Sequence, residues 1–286
     1  MKEKFCTLLN EKILPFLKEK VFIRANLPIF LIVLFSIIFL VSGYFLVDYL
    51  IESKREKDLF DDLAGLVEGI QETDYVDRDN VLIEITDPKT GEPMQILEEY
   101  AEVYTRNTDM VGWMRIDDTV LNYPVMQTPE NQDYYINHNF NKQSSSHGCL
   151  YARDVCDVSF PSDNVTIFGH NMRDGSMFAV LHSYKDPAFF ESHRYIHFDS
   201  LTHHRKYEVM AVFLTTATED QGFAYHQFVD AQNEPAFDEF VSLCKSISLY
   251  DTGVTAQYGD KLITLSTCEY SQTNGRLAVV ARLVYD

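Results

Sequence analysis

The sequence predicts a mostly β protein: a closed or nearly closed β-barrel with N-terminal helices and one late helix, preceded by a single transmembrane helix. Three observations carry this expectation. Residues 27–47, LPIFLIVLFSIIFLVSGYFLV, hold no charge. From Val111 onward, short runs rich in β-branched and aromatic residues alternate with turn-forming clusters. One segment among them, EPAFDEFVSLCKSI, has helical spacing instead.

The apolar run comes first along the chain. At about 1.5 Å per residue a helix over 27–47 reaches roughly 31 Å, which matches a hydrocarbon core of about 30 Å. It is too long for the apolar region of a cleaved signal peptide, and no A-x-A-like site follows it. Residues 1–26 carry six Lys/Arg against three Asp/Glu, whereas 48–286 carry eighteen against forty. A short basic leader ahead of a long acidic body favours an N-terminus inside the cell and a working domain outside it. The acidic body also argues against nucleic acid, because phosphate backbones would repel it.

After the anchor, Leu59, Leu63, Leu66 and Ile70 recur at helical spacing, so a helix is expected from about Asp48 to Ile70. Residues 72–96 are polar, carry the turn signal DPKTGEP, and read as a loop or linker. Leu97, Tyr100, Ala101 and Tyr104 mark a second short helix. The division that follows is a leader over 1–26, an anchor over 27–47, a helix and linker over 48–96, and a barrel over 97–286. The barrel strands are expected in VGWMRI, VLNYPVMQ, GCLYA, NVTIFG, YIHFD, KYEVMAVFLTT, KLITLST and RLAVVARLV. In the late helix, Pro235 suits the first turn, and Phe237, Phe240, Val241 and Cys244 share one face.

The five cysteines sort by surroundings. Cys6 precedes the anchor, and Cys244 faces a core. Cys149 and Cys156 leave a disulfide open, and Cys268 ends a strand-like run. None has C-x-x-C spacing. His193 and His197 are four apart but lie in a strand-like run, so no metal centre is expected and no cofactor is implied. A nucleophilic thiol wants a cation or base nearby. If the runs flanking 268–276 pair as a hairpin, Arg276 arrives beside Cys268. His170 follows NVTIFG directly and opens a polar loop at a strand end, where reactive side chains are commonly displayed.

Three segments together resemble the sortases, specifically class B. They are TLSTC ending at Cys268 with Arg276 eight residues on, IFGHNMRDGSMF around His170, and DMVGWMRIDDTVLNYPVMQTPENQDYYINHNF from Asp109 to Phe140. The resemblance implies a sortase-type closed eight-stranded β-barrel behind a membrane anchor on a Gram-positive cell. It implies cysteine transpeptidation, with Cys268 as nucleophile, His170 as general acid/base and Arg276 as oxyanion or substrate-positioning group. Ser266, Thr267 and Tyr225 are implied substrate contacts. The implied donors are secreted proteins with a C-terminal sorting signal, cleaved after a threonine. The implied acceptor is an amine of a cell-wall peptide or lipid-linked wall precursor, or a pilin lysine. Two other readings stand beside this one: a hydrolytic cysteine peptidase on the same scaffold, and a non-catalytic surface-binding barrel.

Overall fold

The computed structural model describes residues 14–68, 80–216, 222–271 and 273–285. Cys6 and the stretch 69–79 lie outside the described residues. The chain forms two compact units, Met1–Lys54 and Arg55–Asp286.

Helix α1 (Leu14–Glu68) runs through both expected segments without a break. The anchor and the helix expected from Asp48 are therefore one element, because VDYLIESKREK offers the backbone no glycine or proline at which to stop. Side chains from Leu27 to Val47 are almost all exposed, and the most apolar window has a mean hydropathy of 2.8. This helix is long and apolar enough to span a membrane. Its last turns behave differently: Phe60, Leu63 and Val67 are buried in the core of the second unit. There Glu56 is also buried, and both its carboxylate oxygens accept from Asn139 Nδ2, at 3.0 and 3.1 Å.

The expected linker contains a hairpin, β1 (Leu82–Thr86) with β2 (Pro93–Leu97), in antiparallel register Leu82↔Leu97 to Thr86↔Pro93. Ile83 and Ile85 pack on the core while Glu84 turns outward to accept from Gln95. Asp87 closes the turn, accepting from the Lys89 amide at 2.8 Å and the Thr90 hydroxyl at 3.0 Å. Alternation over five residues among charges is too short to separate from a polar loop by pattern. Helix α2 (Glu98–Arg106) follows and buries Tyr100, Val103 and Tyr104.

All eight expected barrel strands form: β3 (Met110–Arg115), β4 (Asn122–Met126), β5 (Leu150–Ala152), β6 (Asn164–Phe168), β7 (Tyr195–Ser200), β8 (Lys206–Thr216), β9 (Leu262–Cys268) and β10 (Gly275–Leu283). They close in the order β10-β8-β7-β3-β4-β5-β6-β9. The β4–β5 and β6–β9 pairs are parallel, and the others are antiparallel. Short helical turns at Tyr134–Ile136, Phe178–Lys185 and Tyr225–Gln227, and helix α3 (Pro187–Ser192), fill the connections. The late helix is α4 (Glu234–Ser246), capped by Asn233, whose side chain accepts from the Ala236 amide at 3.1 Å. Its buried residues are Phe237, Phe240, Val241 and Cys244, the face expected from spacing.

Strand alternation divides the barrel wall between two cores. Ile263 and Leu265 of β9, with Leu277 and Val279 of β10, belong to the main core. Leu262, Ala278 and Val280 point the other way, into a second cluster with α4 and Tyr225. Ser266, Cys268 and Arg276 share this second face by parity.

Candidate active site

β9 and β10 are paired so that Arg276 lies directly opposite Cys268. Directly opposed residues in an antiparallel pair carry Cβ atoms about 4.5–5.5 Å apart on one face. On the other side of β9 the parallel strand β6 ends with Phe168 beside Ser266. At the strand end the Gly169 amide donates to the Ser266 carbonyl at 3.2 Å, and the Thr267 hydroxyl donates to the Gly169 carbonyl at 2.8 Å. Cys268 and Arg276 thus lie in one row, and His170 follows two residues beyond the last rung between β6 and β9. All three residues are half-buried.

Gly169 is what permits the close approach. A Cβ there would lie 2.5 Å from Leu150 Cδ2 and 2.7 Å from Phe178 Cδ2, both in the core. His170 is then oriented by a main-chain partner: its Nε2 lies 2.7 Å from the Ile136 carbonyl. A carbonyl only accepts, so Nε2 carries a proton, and Nδ1 is the nitrogen left to exchange one. Nothing in the sequence pattern points to this partner, because no side-chain motif marks a main-chain carbonyl. Arg276 Nη1 donates to the Gly275 carbonyl at 3.0 Å.

Tyr151, on β5, and Tyr225 border the row. Burial pushes the Tyr151 phenol up, with the Asp133 carboxylate adding to this. Burial likewise raises Tyr225, while its hydrogen bond with Ser266 works against the rise. Tyr225 and Ser266 are buried and share a hydroxyl–hydroxyl contact of 2.5 Å. Thr267 is buried on the opposite face, tying β9 to the His170 segment.

The other cysteines contrast with Cys268. Cys149 and Cys156 are free thiols, so the disulfide left open by the sequence is not formed. Burial pushes the thiols of Cys149, Cys156 and Cys244 upward. Such cysteines are inert packing residues. Cys268 alone among the described cysteines is partly exposed.

The loop after Cys268 is held by a charged knot. Glu269 is buried, accepts from Lys185 Nζ at 2.8 Å, and accepts from the Ser271 amide at 2.9 Å and from the Ser271 hydroxyl. The Lys185 ammonium first, and Ser271 next, hold its carboxyl down at about 2.

A closed barrel of this topology with a thiol and a guanidinium paired at a strand end defines a class. A family model described as the sortase domain matches residues 114–284. Sortase B of Listeria monocytogenes is 31% identical over 86% of this chain and 92% of its own length. Sortase B of Staphylococcus aureus is 27% identical over 88% and 94% respectively. Among solved structures, sortase B from Bacillus anthracis in complex with AAEK1 aligns with TM-score 0.66 and 26% identity, covering 83% of this chain and all of that one. A Staphylococcus aureus sortase B–substrate complex aligns with TM-score 0.68 and 25% identity, over 82% and 98%. The chain belongs to the sortase family of cysteine transpeptidases, and within it to class B.

Proposed function

We propose that Cys268, His170 and Arg276 carry the reaction, and that the chain joins secreted proteins to amine acceptors in the cell wall. The observation supporting this most is the β9–β10 register that sets Cys268 opposite Arg276, with His170 two residues beyond the end of β6, the strand on the other side of β9.

The first half-reaction forms a thioester. The Cys268 thiolate attacks the carbonyl of a threonine in a C-terminal sorting motif, and the C–S bond forms as the carbonyl oxygen gains charge. Arg276 donates hydrogen bonds to that oxyanion and favours the thiolate beforehand. The threonine C–N bond then breaks, and His170, as imidazolium, gives its Nδ1 proton to the departing amine. Its Nε2–H stays on the Ile136 carbonyl throughout, which keeps the ring aimed as the third member of a triad would. In the second half, an acceptor amine attacks the thioester, neutral His170 takes its proton, and Cys268 leaves as thiolate.

The donor is a secreted protein bearing a sorting signal, consistent with the substrate complex solved for the Staphylococcus aureus relative. The acceptor is an amine of a wall peptide, lipid-linked precursor or pilin. Residues 27–47 hold the enzyme at the cell membrane as a single pass, with 1–26 cytoplasmic and the catalytic barrel, 97–286, outside. The buried Tyr225–Ser266 pair shapes the substrate cleft by fixing its wall, whereas Thr267, buried on the opposite face of β9, acts only by tying that strand to the Gly169 carbonyl.

The test is a library of sorting-motif peptides offered to the full chain in detergent micelles, with and without amine acceptors. A ligated product by mass spectrometry that vanishes in Cys268→Ala supports the reading. Hydrolysis alone at every acceptor concentration supports the peptidase instead, and no processing of any peptide supports a binding barrel.

A further inference from the structure

The β6–β9 ladder stops one rung before the thiol. The Ser266 carbonyl is met by the Gly169 amide, but β6 has ended, and the next carbonyl on that edge, that of Cys268, faces no main-chain donor from it. Two side chains take that place. Asn171 Nδ2 donates to the Cys268 carbonyl at 3.3 Å, and His182 Nε2 lies 3.1 Å from the same oxygen. The Asn171 and His182 nitrogens are themselves 2.9 Å apart.

The chemistry of these three atoms is constrained. The Asn171 amide nitrogen has two protons and accepts none. Its contact with His182 is a hydrogen bond only if Nε2 is bare, so Asn171 sends one proton to His182 and the other to the Cys268 carbonyl. If Nε2 instead carries a proton, His182 donates to that carbonyl directly. In both arrangements the carbonyl is held, and its two lone pairs admit both donors. The segments that supply the clamp are those that carry the chemistry. Asn171 is the residue after His170 and bridges to Met177, while His182 sits on the turn Phe178–Lys185, whose first amide donates to the His170 carbonyl at 2.9 Å.

We infer that Asn171 and His182 are positioning residues for the nucleophile: together they fix the Cys268 peptide and thereby hold the thiol in register with His170. The inference rests on the reading of Cys268 as nucleophile. Neither residue touches the reacting atoms. Releasing the carbonyl lets the strand end rotate, which swings the sulfur out of the row while leaving the barrel intact. Misplacement by about 1 Å costs up to about a hundredfold in rate.

The probe is iodoacetamide, applied to the full chain in detergent micelles, with alkylation at Cys268 and Cys244 followed by peptide mass spectrometry. Asn171→Asp keeps shape but removes the donor, and His182→Phe keeps the ring but removes its nitrogens. Each is expected to slow alkylation of Cys268 by about tenfold or more, with thermal midpoint and Cys244 protection unchanged. His182→Gln, which restores a donor, is expected to recover the wild-type rate. Wild-type rates in both donor-free variants overturn the inference. So does slowing that comes only with a lowered thermal midpoint and newly reactive Cys244, because that marks a structural cap. If Asn171→Asp does not fold, the contrast between His182→Phe and His182→Gln decides the matter alone. Failure of the underlying reading looks different: wild-type Cys268 then reacts no faster than free glutathione at the same pH.

Discussion

At the scale of single residues, the proposed chemistry turns on what a guanidinium does that an ammonium does not. Arg276 offers a planar fork of donors, whereas lysine offers a compact point charge. Arg276→Lys keeps the charge that favours a thiolate but loses the fork, so kcat/KM with a sorting-motif peptide is expected to fall by about a hundred- to a thousandfold. Alkylation of Cys268 is expected to change far less, and equal losses in both assays would contradict this division of roles. As candidates, Cys268, His170 and Arg276 can be picked out of the sequence because each sits where a strand-like run begins or ends, and side-chain type carries chemistry. The Ile136 carbonyl that orients His170 is not legible, since every residue has a carbonyl and only the fold selects one. Asn171 and His182 escape for a related reason: they are eleven apart and meet only over the end of β9.

At the scale of elements, the strands are readable because β-branched and aromatic runs bounded by turn residues have one good solution when a core is available. The β1–β2 hairpin and the continuous α1 are not, because five alternating residues among charges and an uninterrupted helix both lack punctuation. Two local joints then decide how the elements meet at the site. Gly169 lets the His170 segment pass against Leu150 and Phe178. Gly169→Ala is expected to cost about 1–3 kcal/mol through overpacking, read as a lowered melting midpoint in fluorescence of the sole tryptophan, Trp113, together with lost peptide processing. Unchanged melting would mean the neighbours yield freely. The second joint is the Lys185–Glu269 pair that pins the start of the β9–β10 loop. Glu269 has its folded pKa held below the ordinary 4.5, to about 2, so its contribution is present above about 4.5 and is lost as pH falls through about 2. Across neutral pH the knot is therefore constant. Lys185→Met is expected to speed amide exchange at Glu269 and Ser271 by about tenfold, the equivalent of about 1.4 kcal/mol of local opening.

At the scale of the whole molecule, a buried charge cluster ties α2 to the barrel and gives stability a pH dependence of its own. His204 Nδ1 lies 2.8 Å from Asp199 Oδ2, and its Nε2 lies 3.2 Å from Glu99 Oε1. Tyr100 donates to the same Asp199 oxygen at 2.6 Å and stacks on Trp113. Burial alone would lower the imidazole, but its hydrogen bonds to Asp199 and Glu99 outweigh that and lift His204 from 6.5 to about 9. A raised folded pKa means the stabilisation is complete below about 6.5 and disappears as pH rises through about 9, at most on the order of 3 kcal/mol. The melting midpoint of the full chain in micelles is expected to fall between about pH 6.5 and about 9.5, and His204→Gln to melt lower at about pH 6 with a flatter profile. A midpoint that rises over that range would refute the assignment. The proposed anchor makes a separate prediction at this scale: deleting 27–47 should move the protein from the membrane to the soluble fraction.

The central claim is tested most directly by trapping the acyl-enzyme. The 286-residue chain is incubated with sorting-motif peptides without acceptor, quenched in acid, digested and mapped by mass spectrometry. The expected result is a peptide adduct on Cys268, released by hydroxylamine as a thioester and missing from His170→Ala. Continued peptide joining by Cys268→Ala, or an adduct borne by a different residue, would contradict it.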